Sequence, residues 1–419
     1  MDVTLHPSLA EDPIAKRAAT AIEPCVHCGF CLATCPTYLD ERDERDSPRG
    51  RIYLVKQFLE TDEHEQLTQR HLDRCLTCRS CETTCPSGVA YGEIAESARE
   101  LLASRAPRPL FQSLLRWALR RLLPRQSLFA FALRTGQRLR PLLPGGLRGS
   151  IPRRQTPLPL LARSRGPRRV LLLEGCVQSS ATPNTNRALR NVLARLRIEL
   201  RESPRQGCCG ALPGHLGDLA HARHLARRNI DNWWPHIEAG VDAILSSATG
   251  CAVQLDAYAH ILGDDESYAT KAATVSSLAM DVGDYLGQGS VLEELAKLAP
   301  WDGNGPRIAL HTPCSQVHGL KSSDGAAPLL RTLGYAMVPV RNNHLCCGSA
   351  GTYSILDSPR SQRLRERKLQ DLTVNESDVI ATANIGCQLH LEDPQAPPVR
   401  HWIELIEEAL AETATTAPP

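Results

Sequence analysis

The chain has 419 residues, 42% hydrophobic and 22% charged, with a formal net charge of +2. Such a length holds two or three domains and a large buried core, and such a composition is that of a soluble globular protein. No apolar run is long enough to span a bilayer, and the opening MDVTLHPSLAEDPIAKRAAT has no apolar signal-peptide core. A cytoplasmic location is the default expectation, with peripheral contact to the inner membrane left open. Sixteen cysteines are too few for a disulfide scaffold and too many for chance; clustered thiols in a reducing cytosol point to metal.

Residues 1–100 form the first expected domain. CVHCGFCLATCP at 25–36 and CLTCRSCETTCP at 75–86 each follow the run C-x₂-C-x₂-C-x₃-C-P. This is the bacterial ferredoxin spacing for a [4Fe–4S] cluster: three thiolates come from one tight loop, and the cysteine before proline ligates the neighbouring cluster. By that rule Cys25, Cys28, Cys31 and Cys85 hold one cluster, and Cys75, Cys78, Cys81 and Cys35 hold the other. Zinc sites favour two C-x₂-C pairs over two such triplets. Between the cages, SPRGRIYLVKQFLE predicts a helix with Ser47 as N-cap and Pro48 in its first turn. A second helix is predicted over 92–103. Arg49, Arg51, Arg74 and Arg79 surround the cages and read as surface cations. His27 reads as a solvent-facing or backbone-bonded side chain rather than a ligand.

Residues 101–165 form an Arg-, Leu- and Pro-rich connector. Between Glu100 and Glu174 there are sixteen arginines and no acid, so the remainder carries about −14. LFQSLLRWALRRLLP at 110–124 predicts an amphipathic helix with Phe111, Leu114, Leu115, Ala118 and Leu122 on one face. That face is expected to pack on the domains or on a partner subunit, with an anionic membrane surface as the alternative. The arginines are not joined to a recognition motif, so no nucleic-acid partner is expected.

Residues 166–304 and 305–412 read as two copies of one module, followed by a flexible tail at 413–419. The first copy carries RRVLLLEGC, GCCG and DAILSSATGC; the second carries PRIALHTPC, LCCG and DVIATANIGC. Buried strands alternating with helices predict parallel α/β modules. Cys176, Cys251, Cys314 and Cys387 each follow a strand, at the sheet edge where ligand sites form. Cys176, Cys208, Cys209 and Cys251 are thus candidate metal ligands of the first module, and Cys314, Cys346, Cys347 and Cys387 of the second.

The order C-x₃₁-CCG with a further cysteine about forty residues on resembles the cysteine-rich CCG domain of heterodisulfide reductase and of flavin-linked dehydrogenase subunits. The fullest form of that domain ends in C-x-x-C and uses five cysteines for an unusual cluster. Here Gln254 and His390 stand where the last cysteine would fall. A further cluster, a zinc ion or no permanent metal stay open for each module.

Taken whole, the chain resembles the iron–sulfur subunits of bacterial glycolate oxidase (glycolate dehydrogenase). The resemblance rests on CVHCGFCLATCPTY, SPRGRIYL, HLDRCLTCRSCETTCPSGV, LLEGCVQ, NTN at 184–186, NIDNWWPHIEAG, HLCCGSAGTYS, TANIGCQLHL and VRHWIELIEEAL. It implies an α+β multidomain fold: a helical two-cluster ferredoxin-like domain, then two α/β CCG modules. It also implies FAD-binding partner subunits that oxidise glycolate to glyoxylate, while this chain passes electrons toward a quinone or other acceptor. No G-x-G-x-x-G fingerprint sits between a strand and a helix, so substrate chemistry is expected on a partner and no catalytic residue is assigned here. The alternatives are the equivalent subunit of a lactate or glycerol-3-phosphate dehydrogenase, or a CCG-type disulfide or quinone reductase.

Overall fold

The computed structural model describes residues 1–144, 148–149, 151–298, 305–322 and 325–416. The expected junction of the modules at 304 and the end of the expected tail, 417–419, lie outside the described residues. Helix Trp402–Thr416 runs through the preceding part of that tail.

The N-terminal region is helical. Helix Pro13–Ile22 is capped by Asp12, whose carboxylate accepts from the amides of Ile14 (2.8 Å) and Ala15 (3.2 Å). Helix Pro48–Thr61 is capped by Ser47, whose hydroxyl accepts from Gly50 N (2.9 Å). Both caps satisfy amides that have no partner within the helix. These helices and Tyr91–Arg105 bury Ile22, Phe58, Leu59, Ile94 and Leu102 in one core. The two cage loops leave that core with one backbone pattern. The second and fourth residues after the first cysteine have positive φ: His27 (55°) and Gly29 (84°), then Thr77 (53°) and Arg79 (60°). Left-handed residues at these two places turn the loop tightly enough to aim successive thiols inward. Glycine suits position 29, where φ is 84° and a Cβ would come 2.7 Å from the movable end of the Arg49 side chain; Arg79 takes the matching place in the second cage.

The modules each form a four-stranded parallel sheet. In the first, strands β1 (Arg169–Leu173), β2 (Glu199–Arg201), β3 (Ala243–Ser246) and β4 (Ala279–Asp281) lie in the order β2-β1-β3-β4. In the second, β5 (Ile308–Leu310), β6 (Met337–Val338), β7 (Val379–Thr382) and β8 (Val399–His401) lie in the order β6-β5-β7-β8. The repeat seen in the cysteines is therefore a repeat of topology. The modules also share a core: Leu189, Val192 and Leu193 of helix Pro183–Arg195 cluster with Trp402, Ile403 and Ile406 of helix Trp402–Thr416. Buried polar bonds fix the same contact, Thr185 Oγ1 to Glu404 Oε1 (2.6 Å) and Asn191 Nδ2 to Glu407 Oε1 (2.8 Å).

The connector does not pack its apolar face on this chain's own domains. Helix Leu110–Leu122 forms, but its apolar face points outward: Phe111 is 76% exposed, Leu114 62% and Trp117 54%. Arg116 turns inward instead: Asp73 holds it (2.9 Å) together with Arg108 (3.0 Å), just ahead of the helix, while Arg121 stays exposed. Helix Gln126–Leu139 likewise leaves Leu128 and Phe131 exposed. Beyond it the chain runs as a strap on the first module, where Leu158 N donates to Asn184 Oδ1 (3.0 Å) and Leu161 N to Asn191 Oδ1 (2.9 Å).

Candidate iron–sulfur sites

Two adjoining hollows open inside the N-terminal domain. Cys25, Cys28 and Cys31 line the first, joined by Cys85 from the other cage. Cys75, Cys78 and Cys81 line the second, joined by Cys35 from the first cage. Cys81 borders both. Each fourth cysteine thus reaches across because its proline, Pro36 or Pro86, starts a new direction of chain at the loop exit. No disulfide links any of the sixteen cysteines. A tight loop of three sulfurs with a fourth brought from afar, in an apolar hollow, is the donor set of a cubane cluster.

The surroundings supply positive charge. Arg51 is 1% exposed, so it is no surface cation: it lines the second hollow and donates to His71 O (2.7 Å) and Thr37 Oγ1 (3.1 Å). Burial pushes the Cys75 thiol up, but Arg51 and Arg99 outweigh it and hold that thiol below its ordinary value. The Tyr91 hydroxyl also points at Cys75 Sγ (3.6 Å). Burial and neighbouring thiols push Cys78 and Cys81 well up, and burial lifts Cys31 to about 11. Thiols crowded this closely ionise together only when cations neutralise them, and iron does so. His27 borders the first hollow, and its Nε2 is buried with no hydrogen-bond partner among the described residues.

In the first module the thiols form a row. Cys176 Sγ lies 3.4 Å from Cys208 Sγ, and Cys209 Sγ lies 3.5 Å from Cys251 Sγ. Cys176 follows β1, and Cys251 sits in the first turn of the helix after β3. The NTN motif supports this edge: Asn186 Nδ2 donates to Glu174 O (2.8 Å), and Ser247 Oγ donates to Asn186 Oδ1 (2.7 Å). In the second module Cys314 meets Cys346, Cys346 meets Cys347 and Cys347 meets Cys387. Sequence reasoning passed over His311 and Lys368, which lie beside this row. A comparison of the two copies would have flagged His311, since Leu173 takes its place in the first. His390 does not replace the missing cysteine: its Nε2 meets Ser361 Oγ (3.2 Å), and burial lowers it to about 4.

The second module is pinned to the cages. Asp46, fully buried, receives His71 Nδ1 (2.8 Å), Arg74 (3.0 Å) and Arg360 (3.1 Å), and Arg51 stands 3.5 Å away. Arg363 reaches Asp40 and Glu41 (both 2.6 Å). Thr83 Oγ1, in the second cage, meets His318 Nδ1 (2.8 Å). This docking puts Leu76 and Cys78 into one apolar cluster with Cys314 and Cys346.

Thiol cages of ferredoxin spacing, built beside paired α/β modules whose own thiols gather at the sheet edge, define an iron–sulfur electron-transfer protein. The 4Fe-4S dicluster domain family matches residues 21–89, and the cysteine-rich (CCG) domain family matches 170–256 and 308–392. The glycolate oxidase iron-sulfur subunit of Escherichia coli (strain K12) is 43% identical over 98% of this chain and 99% of its own length. The probable glycolate oxidase iron-sulfur subunit of Bacillus subtilis (strain 168) is 32% identical over 88% of each. Lactate utilization protein A of Geobacillus thermodenitrificans is 24% identical over 53% of this chain. The chain belongs to the family of glycolate oxidase iron–sulfur subunits.

Proposed function

We propose that this chain conducts electrons, one at a time, from a flavin-bearing partner that oxidises glycolate to glyoxylate toward a quinone or comparable acceptor. Cys25, Cys28, Cys31 and Cys85 hold one [4Fe–4S] cluster in this reading, and Cys75, Cys78, Cys81 and Cys35 hold the other. The clusters supply reversible one-electron storage, which the side chains of this protein lack. What the protein supplies is position and charge. The exchanged cysteines Cys35 and Cys85 tie the two hollows together, Arg51 and Arg99 favour the thiolate state at Cys75, and largely apolar side chains wall both hollows. The observation that carries the proposal is the adjoining pair of hollows, each completed by a cysteine from the other cage.

Glycolate is favoured over lactate because likeness to the glycolate oxidase subunits covers nearly the whole chain, whereas likeness to the lactate utilization proteins covers about half. Disulfide reduction at a CCG module is disfavoured by Gln254 and by the bonded, neutral His390. The outward apolar face of the connector, set among arginines without an acid, suits peripheral contact with an anionic membrane.

The test uses the assembled complex and an acceptor that takes electrons from the clusters. Cys75→Ser should abolish acceptor reduction while glycolate still bleaches the partner flavin. Unchanged acceptor reduction would defeat the proposal.

A further inference from the structure

The two modules share a topology and a row of four thiols, yet two buried side chains set the second apart. His311 stands at the end of β5, three residues before Cys314, and is 1% exposed. Its Nδ1 lies 2.9 Å from Thr382 Oγ1, and one of its ring nitrogens falls within 4.8 Å of both Cys347 Sγ and Cys387 Sγ, themselves as close to each other. Among the described residues the first module gathers no such group, because Leu173 occupies the corresponding position on β1.

Lys368 is the second difference. It is 2% exposed, and two carbonyls rather than a carboxylate hold its ammonium, Asn342 O (2.9 Å) and Asn343 O (3.2 Å). Burial pushes it below its ordinary value, while the thiols of Cys347 and Cys346, the carboxylate of Asp371 and the thiol of Cys314 favour its charged form. The corresponding helix of the first module, Leu219–Glu238, buries Asn229, Ile230 and Trp233 and no charged residue. A buried cation needs a compensating negative charge nearby. Asp371 provides part of it; protonated thiols add nothing to that, whereas metal-bound thiolates do.

The donor set narrows the choice of metal. Neutral imidazole and thiolate suit zinc and the iron of iron–sulfur centres. A structural zinc site closes with four donors around one ion. Here five donors are strung along a row, which fits a group of several metal atoms better than a single tetrahedron. The row also adjoins Cys78, a member of the second cage.

We propose that the second module holds an iron–sulfur centre of its own, ligated by His311 with thiolates drawn from Cys314, Cys346, Cys347 and Cys387. Lys368 offsets its negative charge. It is the third centre of the chain if the two-cluster reading above holds, and on that reading it stands where electrons leave the second cage.

The test is a count of iron, acid-labile sulfide and zinc on the full chain purified without oxygen, with Mössbauer spectra beside it. Two cubanes account for about eight iron. The native protein should exceed that clearly, and Cys387→Ser should lose the excess, while Cys251→Ser in the first module should leave the second module's spectral component in place. His311→Ala should alter that component, and His311→Cys should restore a bound centre. A native count of about eight iron, or zinc in place of the excess, would overturn the proposal. So would a His311→Ala spectrum identical to the native one, a measurement that still decides if Cys387→Ser fails to fold. Cys25→Ser and Cys75→Ser report separately on the first eight iron, so failure of the two-cluster reading would show as a different loss.

Discussion

Asp46 is the residue on which the most charge depends. It is fully buried and surrounded by His71, Arg51, Arg74 and Arg360. Burial would raise its carboxyl, but the bond from His71 and the arginines hold it far below the usual carboxylate range. A carboxyl lowered on folding stabilises the native state above its unfolded pKa of about 4 and loses that contribution as pH falls below it. Asp46→Asn leaves buried guanidinium groups without a counter-charge and should cost about 3–5 kcal/mol, read as a lower denaturation midpoint. Asp281 has the opposite sign. It is buried, caps helix Val282–Leu286 through Gly283 N (2.8 Å), and burial lifts it to about 7. Its contribution is full below pH 4 and disappears as pH rises through 7. The thermal midpoint of Asp281→Asn should therefore gain on that of the native protein between pH 5 and 8; a constant difference would contradict the burial argument. The thiols were legible in the sequence because cage spacing is local. Arg51 was not, since nothing in its neighbours says that the ring of groups around Asp46 encloses it, and Lys368 shares its helix with the exposed Arg363 and the buried Arg360, so local sequence does not tell which cation is enclosed.

At the scale of elements, the strands that carry cysteines were legible as short apolar runs. The edge strands β2, β4, β6 and β8 were not, because two or three residues carry no periodicity. They form because a neighbouring strand offers them a parallel ladder. Helix Leu110–Leu122 shows the same limit differently. Its amphipathic period was plain, but the face that turns inward is chosen by Asp73, some forty residues away. The outward face gives a direct test. The triple variant Phe111→Ser, Trp117→Ser, Phe131→Ser should lose co-sedimentation with anionic phospholipid vesicles while keeping its thermal midpoint. Retained vesicle binding, or loss of flavin-subunit binding instead, would assign the face to protein packing.

Across the whole molecule, the repeat in the cysteines predicted paired modules, and the sheets repeat strand for strand. Their fusion through Trp402, Ile403 and Leu189 was hidden, since an apolar helix face does not name its partner. The docking of the second module on the cages was equally hidden, because Asp46 and Arg360 are 314 residues apart. That docking sets the second module directly against the cages. The most direct test is the spectrum of the clusters during turnover. Glycolate is added without oxygen or acceptor to the complex of this chain with its flavin subunits, and paramagnetic resonance is recorded on frozen samples. The account predicts reduced [4Fe–4S] signals that appear after flavin reduction, are absent without the flavin subunits, and vanish when acceptor is added. Acceptor turnover with clusters that stay oxidised throughout, or that change too slowly to keep pace with it, would contradict the claim that electrons pass through this chain.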